Sequence, residues 1–235
     1  MSDVFDLIRR RQSARTAFDL NRPVSKDDLR LILEAASLAP TAHNMQNFEI
    51  VVVDDKAVLK KIGAVRTKIS RAFVEENYAQ LSFTEDELVR KKTGLLGQQF
   101  PPSWRDPKEL DIEKVMREAA PAPLENTLRG GPTLLIVLYD PRKRAPASAN
   151  DVLGFISLGC VMQNIWLAAE ALSLGVHIMS AFSGEYAENE IKKILGVPAP
   201  LKIAFAVRLG YPAGGSKAYL RVRRDVEDFA RFNKY

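Results

Sequence analysis

Histidine and cysteine are scarce in this chain of 235 residues, and their scarcity excludes several kinds of chemistry. There are two histidines, His43 and His177, and one cysteine, Cys160. A single cysteine cannot form an intrachain disulfide, which fits a cytoplasmic, reducing setting. Two histidines leave little from which to build a metal site or a hydrolytic triad, so we expect no metal centre.

Other absences narrow the class of protein further. The longest apolar runs are far short of a membrane span, and no basic start leads into an apolar core, so we expect neither membrane association nor a signal peptide. No Gly-x-Gly-x-x-Gly follows a predicted strand and no Walker loop is present, so neither a dinucleotide Rossmann site nor a P-loop is indicated. No set of paired carboxylates stands out either. Such a protein is expected to rely on a cofactor for its chemistry.

The composition is that of an ordinary globular protein. Hydrophobic residues make up 46% of the chain and charged residues 27%. The formal net charge of +5 is compatible with anionic ligands but does not by itself argue for nucleic acid. We therefore expect no nucleic-acid partner on the ground of charge alone.

An arginine cluster at Arg9–Arg15 is the most unusual stretch of the sequence. It could be a solvated basic face, a nucleic-acid patch or a phosphate site. Arg11, Ser13 and Arg15 occupy alternating positions of a predicted loop and supply guanidinium and hydroxyl donors suited to phosphate. Arg221 and Arg223 alternate near the other end of the chain, so they share one side of an extended tail. Together the two groups favour a phosphate held from both ends of the chain.

Strands and helices alternate along the chain, which predicts one α+β domain with a sheet covered by helices. Residues 66–129 change character and form a variable excursion, in which Tyr78, Phe100 and Trp104 are candidate lid aromatics. The predicted strands are 48–53, 133–138, 176–181 and 201–207. The main predicted helices are 4–8, 25–39, 85–92, 112–119, 150–174, 188–195 and 226–232.

Four motifs, in this order, resemble the FMN-dependent nitroreductase family. The first, Arg11–Arg15 followed by Phe18, is similar to the family's Arg-Arg-Ser-x-Arg-x-Phe element. The second, at 35–48, is similar to its Ala-Pro-Ser-x-x-Asn-x-Gln loop, and the third, at 163–175, is similar to its Gln-Asn-Leu-x-Leu-Ala-Ala helix. The fourth is similar to its Gly-Tyr-Pro segment with later arginines and lies at 209–212 and 223–224. The resemblance covers most of the chain except the excursion.

The resemblance implies a fold and a set of cofactor contacts. The fold is a single nitroreductase-like FMN-binding domain over residues 1–235, with a central, mostly antiparallel sheet and a C-terminal arm, 211–235, that extends to a dimer partner. The implied FMN contacts are Arg11, Gln12, Ser13, Arg15, Pro40, Thr41, Ala42, Asn44, Ile178, Met179, Ser180, Ala181, Arg221 and Arg223. No catalytic side chain is expected, because the flavin N5 atom carries the chemistry.

This sequence departs from the family pattern at several of these positions. Gln12 stands where an arginine is usual, and Thr41 replaces a serine but keeps the hydroxyl. Asn47-Phe48 replaces a Pro-Trp pair, and Ser180-Ala181 replaces a glycine-rich pair beside flavin N5. His43 falls at a variable family position, so we interpret it as a polar loop residue.

The resemblance implies a homodimeric, cytoplasmic flavoenzyme that works by a ping-pong mechanism. NADH or NADPH would reduce the flavin, and a nitroaromatic, quinone or similar small-molecule acceptor would reoxidise it. Related reactions on the same fold are dehalogenation, amide or peptide dehydrogenation and flavin breakdown. A non-catalytic phosphate-binding or nucleic-acid-binding protein is the alternative from another class.

Overall fold

The computed structural model describes residues 3–97, 111–118, 121–214 and 220–234. Its contacts divide the chain into two compact units. The first comprises residues 1–67 and 122–216, and the second comprises residues 68–121 and 217–235. The predicted lid aromatics Phe100 and Trp104 lie outside the described residues.

The described residues form eight strands and ten α-helices. The strands are β1 Phe48–Val53, β2 Arg66–Thr67, β3 Leu81–Ser82, β4 Leu95–Leu96, β5 Ala122–Pro123, β6 Thr133–Tyr139, β7 Gly175–Met179 and β8 Lys202–Gly210. The helices are α1 Val4–Arg10, α2 Lys26–Ser37, α3 Lys56–Ala64, α4 Arg71–Ala79, α5 Glu85–Lys91, α6 Ile112–Glu118, α7 Glu125–Leu128, α8 Val152–Ala171, α9 Glu185–Leu195 and α10 Val226–Phe229.

A four-stranded sheet in the order β1-β6-β8-β7 is the centre of the first unit, and all of its neighbouring strands are antiparallel. Its two inner strands are rich in branched apolar residues, and six of the seven residues of β6 are buried. Such runs form strands that are covered on both faces. The predicted α+β fold, with an antiparallel sheet covered by helices, is confirmed.

Alternate residues of the inner strands feed two hydrophobic cores. Leu135 and Val137 of β6 belong to the core that α2 and α8 cover. Leu134 and Ile136 belong to the core on the opposite face, against α3, α7 and α9. This division follows from the two-residue period of a strand. The Ser25 hydroxyl accepts from the Asp28 N–H at 3.0 Å and begins α2 where the sequence predicted a cap.

Helix α8 is the most apolar helix of the first unit. With the preceding 3-10 turn it is long and apolar enough, by length and composition alone, to cross a membrane. The sequence expectation rested on uninterrupted apolar runs, which Gln163 and Asn164 break. In the fold, Leu158, Val161 and Ile165 of this helix lie in the first core, as expected for a central core helix.

The second unit holds α4, α5, α6, α10 and the short parallel pair β3–β4. Arg71 links α4 to α6 through Glu113 at 2.6 Å. Lys92, the left-handed residue that ends α5, forms ion pairs with Asp225 and with Asp228, the latter at 3.0 Å. The C-terminal segment is therefore tied to the end of α5 within this unit.

Candidate functional site

The segment that contains the first predicted phosphate contacts, residues 11–16 (the phosphate segment), lies along the outer edge of β7. Ser13 forms a parallel bridge with Val176, and the Ala14 N–H donates to the Val176 carbonyl oxygen at 2.8 Å. Gly175 permits this close approach, because a Cβ atom there would lie 2.8 Å from the Cβ of Ala14. The sheet edge thus fixes the middle of the segment.

Helix α8 holds the start of the same segment. The Arg11 guanidinium lies 4.2 Å from the centre of the Trp166 ring, and the Trp166 Nε1–H donates to the Gln12 carbonyl oxygen at 3.3 Å. A cation–π contact of this kind contributes about 0.5–1 kcal/mol at an exposed site. The sequence placed Trp166 in a family motif but did not single it out. The sequence feature that could have identified Trp166 is its indole N–H, which usually donates a hydrogen bond when buried, on a mostly apolar helix.

Two further arginines hold the end of the segment, and sequence reasoning missed both. Arg208 of β8 is fully buried and donates to the carbonyl oxygens of Ala14 and Thr16 at 2.8 and 2.7 Å. Arg129 donates to the carbonyl oxygen of Arg15 at 2.9 Å. Arg208 was detectable as a cation within the apolar part of β8, which follows Lys202.

The charge behind the segment is positive. His177 lies opposite Arg208 in the β7–β8 pairing, and its Nδ1 atom has no hydrogen-bond partner. Burial, and then the charges of Arg208, Arg15 and Arg129, lower the pKa of His177 to about 4. Burial, with a smaller contribution from Arg129, also lowers the pKa of Arg208 to about 10, which leaves it protonated at neutral pH. The arginines alone therefore carry the charge there.

The second predicted contact region, the loop after α2, has unusual backbone geometry. His43, Asn44 and Gln46 have positive φ angles of 52°, 52° and 45°. Residues other than glycine adopt this region at an energetic cost that the surrounding structure must offset, and such residues cluster at functional sites. Part of the compensation is local, because the Thr41 hydroxyl accepts from the Gln46 N–H at 3.2 Å.

The same loop is tied to α8. The Ala42 N–H donates to the Ser157 hydroxyl oxygen at 3.0 Å, and Ser157 donates in turn to the Leu153 carbonyl oxygen at 2.7 Å. Ser157 is buried, and sequence reasoning did not identify it. Ser157 and Trp166 lie nine residues apart on α8, which corresponds to about 13 Å along the helix axis. The two contact regions are therefore tied to well-separated points of one helix.

The third predicted region begins in β7 and continues beyond its end. Met179 is buried in the second core, so its side chain is directed away from solvent and only its backbone is available to a ligand. Ile178 is half-buried against the first core, and Ser180 is exposed at the start of a 3-10 turn that contains Ala181.

The two predicted contacts of the C-terminal tail belong to a different unit from the other predicted contacts. Arg221 and Arg223 belong to the second unit, and both are exposed. All other predicted contacts belong to the first unit, including the exposed Pro40 and Asn44. The described structure therefore gathers the first group on one framework of α8 and β7, and the assignment of the tail arginines remains a prediction.

A separate cavity of about 960 Å³ also opens in the first unit. It lies between α3, α7 and the segment before α2, and its lining includes Leu59, Lys60, Leu128 and Pro132. None of the predicted cofactor contacts lines it. It is therefore distinct from the α8–β7 framework.

Three comparisons with known proteins bear on this site. The chain is similar to the NADH dehydrogenase of Thermus thermophilus, with 30% identity over 197 residues that cover 81% of this chain and 78% of that one. It is similar to the iodotyrosine deiodinase of Thermotoga neapolitana, with 24% identity over the whole of both chains. Its fold is similar to that of a nitroreductase with bound FMN from Bacteroides fragilis, with a TM-score of 0.60, 21% identity and coverage of 95% and 96% of the two chains.

The fold and the site define an α+β protein with an antiparallel sheet and an arginine-rich segment along the sheet's edge. The nitroreductase family matches residues 8–211, and the chain belongs to that family. The family predicted from the four sequence motifs is thereby confirmed.

Proposed function

We propose that this protein is an FMN-dependent oxidoreductase that uses NADH or NADPH as electron donor. When bound, FMN would accept a hydride at N5 from the nicotinamide and pass the electrons to a nitroaromatic, quinone or similar acceptor in a second half-reaction. The observation that carries the proposal is the arginine-rich segment Arg11–Arg15, which α8, β7 and two further arginines hold in one conformation.

The donor set of this segment fits a phosphate. The carbonyl oxygens of residues 14–16, which would repel an anion, are all occupied by arginine donors. The unpartnered Nδ1 of His177 and the unpartnered Nε of Arg208 lie behind the segment, and no described carboxylate forms an ion pair with Arg208. Guanidinium and hydroxyl groups around such a site bind phosphate through short, charge-assisted hydrogen bonds.

The remaining contacts are proposed by region. Arg11, Gln12, Ser13 and Arg15 would hold the phosphate and the ribityl chain. The loop residues Pro40, Thr41, Ala42 and Asn44 and the strand-end residues Ile178, Met179, Ser180 and Ala181 would line the ring. Arg221 and Arg223 would close on the phosphate from the C-terminal arm. No side-chain acid or base is required, because the donor, the cofactor and the acceptor supply the redox groups.

A homodimer is part of the proposal. Several large apolar side chains on α1, on or directly after α2, and on α8 are more than half exposed, which is typical of a surface that a partner covers. They include Phe5, Leu31, Leu38, Phe155 and Ile156. We propose that a second copy of this chain covers them, that residues 211–235 act as an arm, and that the dimer works in the cytoplasm as a single FMN-binding domain per chain.

Reductive dehalogenation is the second candidate function. It is favoured by the match to the Thermotoga deiodinase over the full length of both chains. The proposed FMN site serves either reaction, so the acceptor decides between them.

The absorbance spectrum of the purified protein tests the proposal. We expect a flavin spectrum that NADH or NADPH bleaches under anaerobic conditions and that a nitroaromatic or quinone restores. Recovery by iodotyrosine, with release of iodide, would select dehalogenation instead. Arg15→Ala should lose most of the bound flavin, whereas Arg30→Ala, an exposed arginine on α2, should retain it. A colourless protein that does not take up added FMN would refute the proposal.

A further inference from the structure

Arg208 is an unusual residue to find in the middle of a buried strand. Its side chain is fully buried on β8, yet no described acidic residue forms an ion pair with it. Burying a guanidinium is costly unless hydrogen bonds or a counter-charge compensate it. Here the compensation consists of three carbonyl oxygens, those of Ala14, Thr16 and Leu128, at 2.7–2.8 Å.

The surroundings of Arg208 are shaped to admit it. A Cβ atom on Gly131 would lie 2.4 Å from the Arg208 Cγ, so only glycine leaves room for this side chain. The Phe18 ring lies 4.4 Å from the guanidinium carbon, within cation–π distance. Gly131 and Phe18 therefore leave a space that fits the arginine side chain.

The contacts of Arg208 concentrate on the predicted phosphate segment. It binds the carbonyl oxygens of residues 14 and 16, and Arg129 binds that of residue 15. Three consecutive carbonyl dipoles are thus held against guanidinium groups. In this conformation the partial negative charges of the segment are neutralised, and its net field is positive.

We propose that Arg208, assisted by Arg129, is a positioning residue that holds residues 14–16 in the conformation that binds the phosphate of the ligand. This inference rests on the proposed function, since the ligand in question is FMN. Because the charge of Arg208 is buried and no carboxylate among the described residues pairs with it, it also attracts a dianionic phosphate without touching it. Arg208 therefore makes the site select FMN over riboflavin, which has the same ring and ribityl chain but no phosphate.

The test is the ratio of riboflavin to FMN dissociation constants, measured by fluorescence titration of the flavin-free protein. Arg208→Lys keeps a positive charge but cannot bridge the carbonyl oxygens of Ala14 and Thr16, so FMN should bind about tenfold more weakly while riboflavin changes little. Arg208→Met removes the charge as well and should lower the ratio further. Arg129→Gln frees only the Arg15 carbonyl oxygen and should lower it least.

A purely structural role would give a different result. Damage to the fold weakens both flavins together and leaves their ratio at the wild-type value, and that result for all three variants would overturn the inference. If the Arg208 variants do not fold, as judged by their thermal unfolding, Arg129→Gln decides, since its hydrogen bond is at the surface. Arg30→Gln is the matched control and should leave the ratio unchanged. A wild-type protein that binds neither flavin would instead end the proposed function itself.

Discussion

At the scale of single residues, His177 shows how burial, with a smaller contribution from the neighbouring Arg208, sets the protonation state of a side chain. The two face each other across β7 and β8, and burial is the largest cause of the lowered pKa of His177. The histidine is neutral in the folded protein at neutral pH. It therefore adds polarity but no charge to the region behind the phosphate segment.

This pKa predicts a dependence of stability on pH. The unfolded chain binds a proton at His177 below its ordinary pKa of 6.5, whereas the folded protein binds one only below about 4. The unfolded state therefore holds more protons between these values, and the free energy of unfolding should fall as the pH drops from 6.5 to 4. The loss contributed by this group is at most about 3 kcal/mol. Urea unfolding at a series of pH values measures it.

The control separates His177 from other titrating groups. His177→Gln should flatten the pH dependence in this window, whereas His43→Gln, at an exposed loop position, should retain it. An unchanged profile for His177→Gln would show that other groups cause the loss.

At the scale of elements, α8 organises the first unit. Asn164 donates to the Ala35 carbonyl oxygen of α2 at 2.8 Å, Ser157 holds the loop at Ala42, and Trp166 holds Gln12. One helix therefore positions two of the predicted contact regions. Because a helix is stiff, the separation of these two regions along α8 is set by its rise per residue.

In the second unit, ion pairs between Lys92 and two aspartates connect the end of α5 to the short helix α10. The pairs with Asp225 and Asp228 raise the pKa of Lys92, and Lys92 lowers the pKa of Asp228. Lys92→Met should loosen residues 220–229 and speed their amide hydrogen exchange, because α10 buries none of its residues and Lys92 ties it to the end of α5. Arg90→Met, which removes an exposed cation from the same helix α5, should leave the exchange rates unchanged.

Salt and acid should reproduce the effect of Lys92→Met. Exposed ion pairs weaken with ionic strength, so the wild-type exchange rates should approach those of the variant in high salt. Lowering the pH until Asp228 protonates should lower the protection factors of these amides in the same way, after the exchange rates are corrected for the intrinsic slowing of amide exchange in acid. Exchange in residues 220–229 that responds to neither condition would show that the pairs do not hold the segment.

At the scale of the whole molecule, the proposed dimer and arm are tested by shortening the chain. A chain that ends at Gly214 keeps two contacts of the first unit, the Tyr211 hydroxyl to Asp28 at 3.1 Å and the bridge between Phe18 and Pro212. It lacks the arm with Arg221 and Arg223. We expect it to lose FMN and to become monomeric or aggregated, because the apolar faces of α1, α2 and α8 lose their cover.

Light scattering with absorbance detection measures both properties in one experiment. The full-length protein is the reference, and Arg221→Gln combined with Arg223→Gln is the matched variant, since it removes the charges but keeps the arm. That variant should lose FMN affinity while staying dimeric. A shortened chain that remains a dimer with bound flavin would contradict the arm.

The sequence by itself determined the family, the four strands of the main sheet and most of the helices, but not α4, α7 or the short strands β2–β5. The β-branched run Phe48–Val53 matched its strand at both ends, although only Val53 is buried because β1 is an edge strand. Gly196 ends α9 as expected, and both signals act between near neighbours. The predicted helix 226–232 ends instead at Phe229, and α9 begins at Glu185 rather than at Glu188. Helix ends depend on capping and packing, which a periodic pattern does not contain.

Only the tertiary structure decided how the phosphate segment is held. Arg208 and Thr16 are 192 residues apart in the chain, and Trp166 and Gln12 are 154 apart. Local patterns identified Arg11, Ser13 and Arg15 by their own chemistry, but no local pattern links a strand arginine to a distant carbonyl group. That link exists because the antiparallel order of β7 and β8 brings the buried guanidinium next to the segment at the sheet edge.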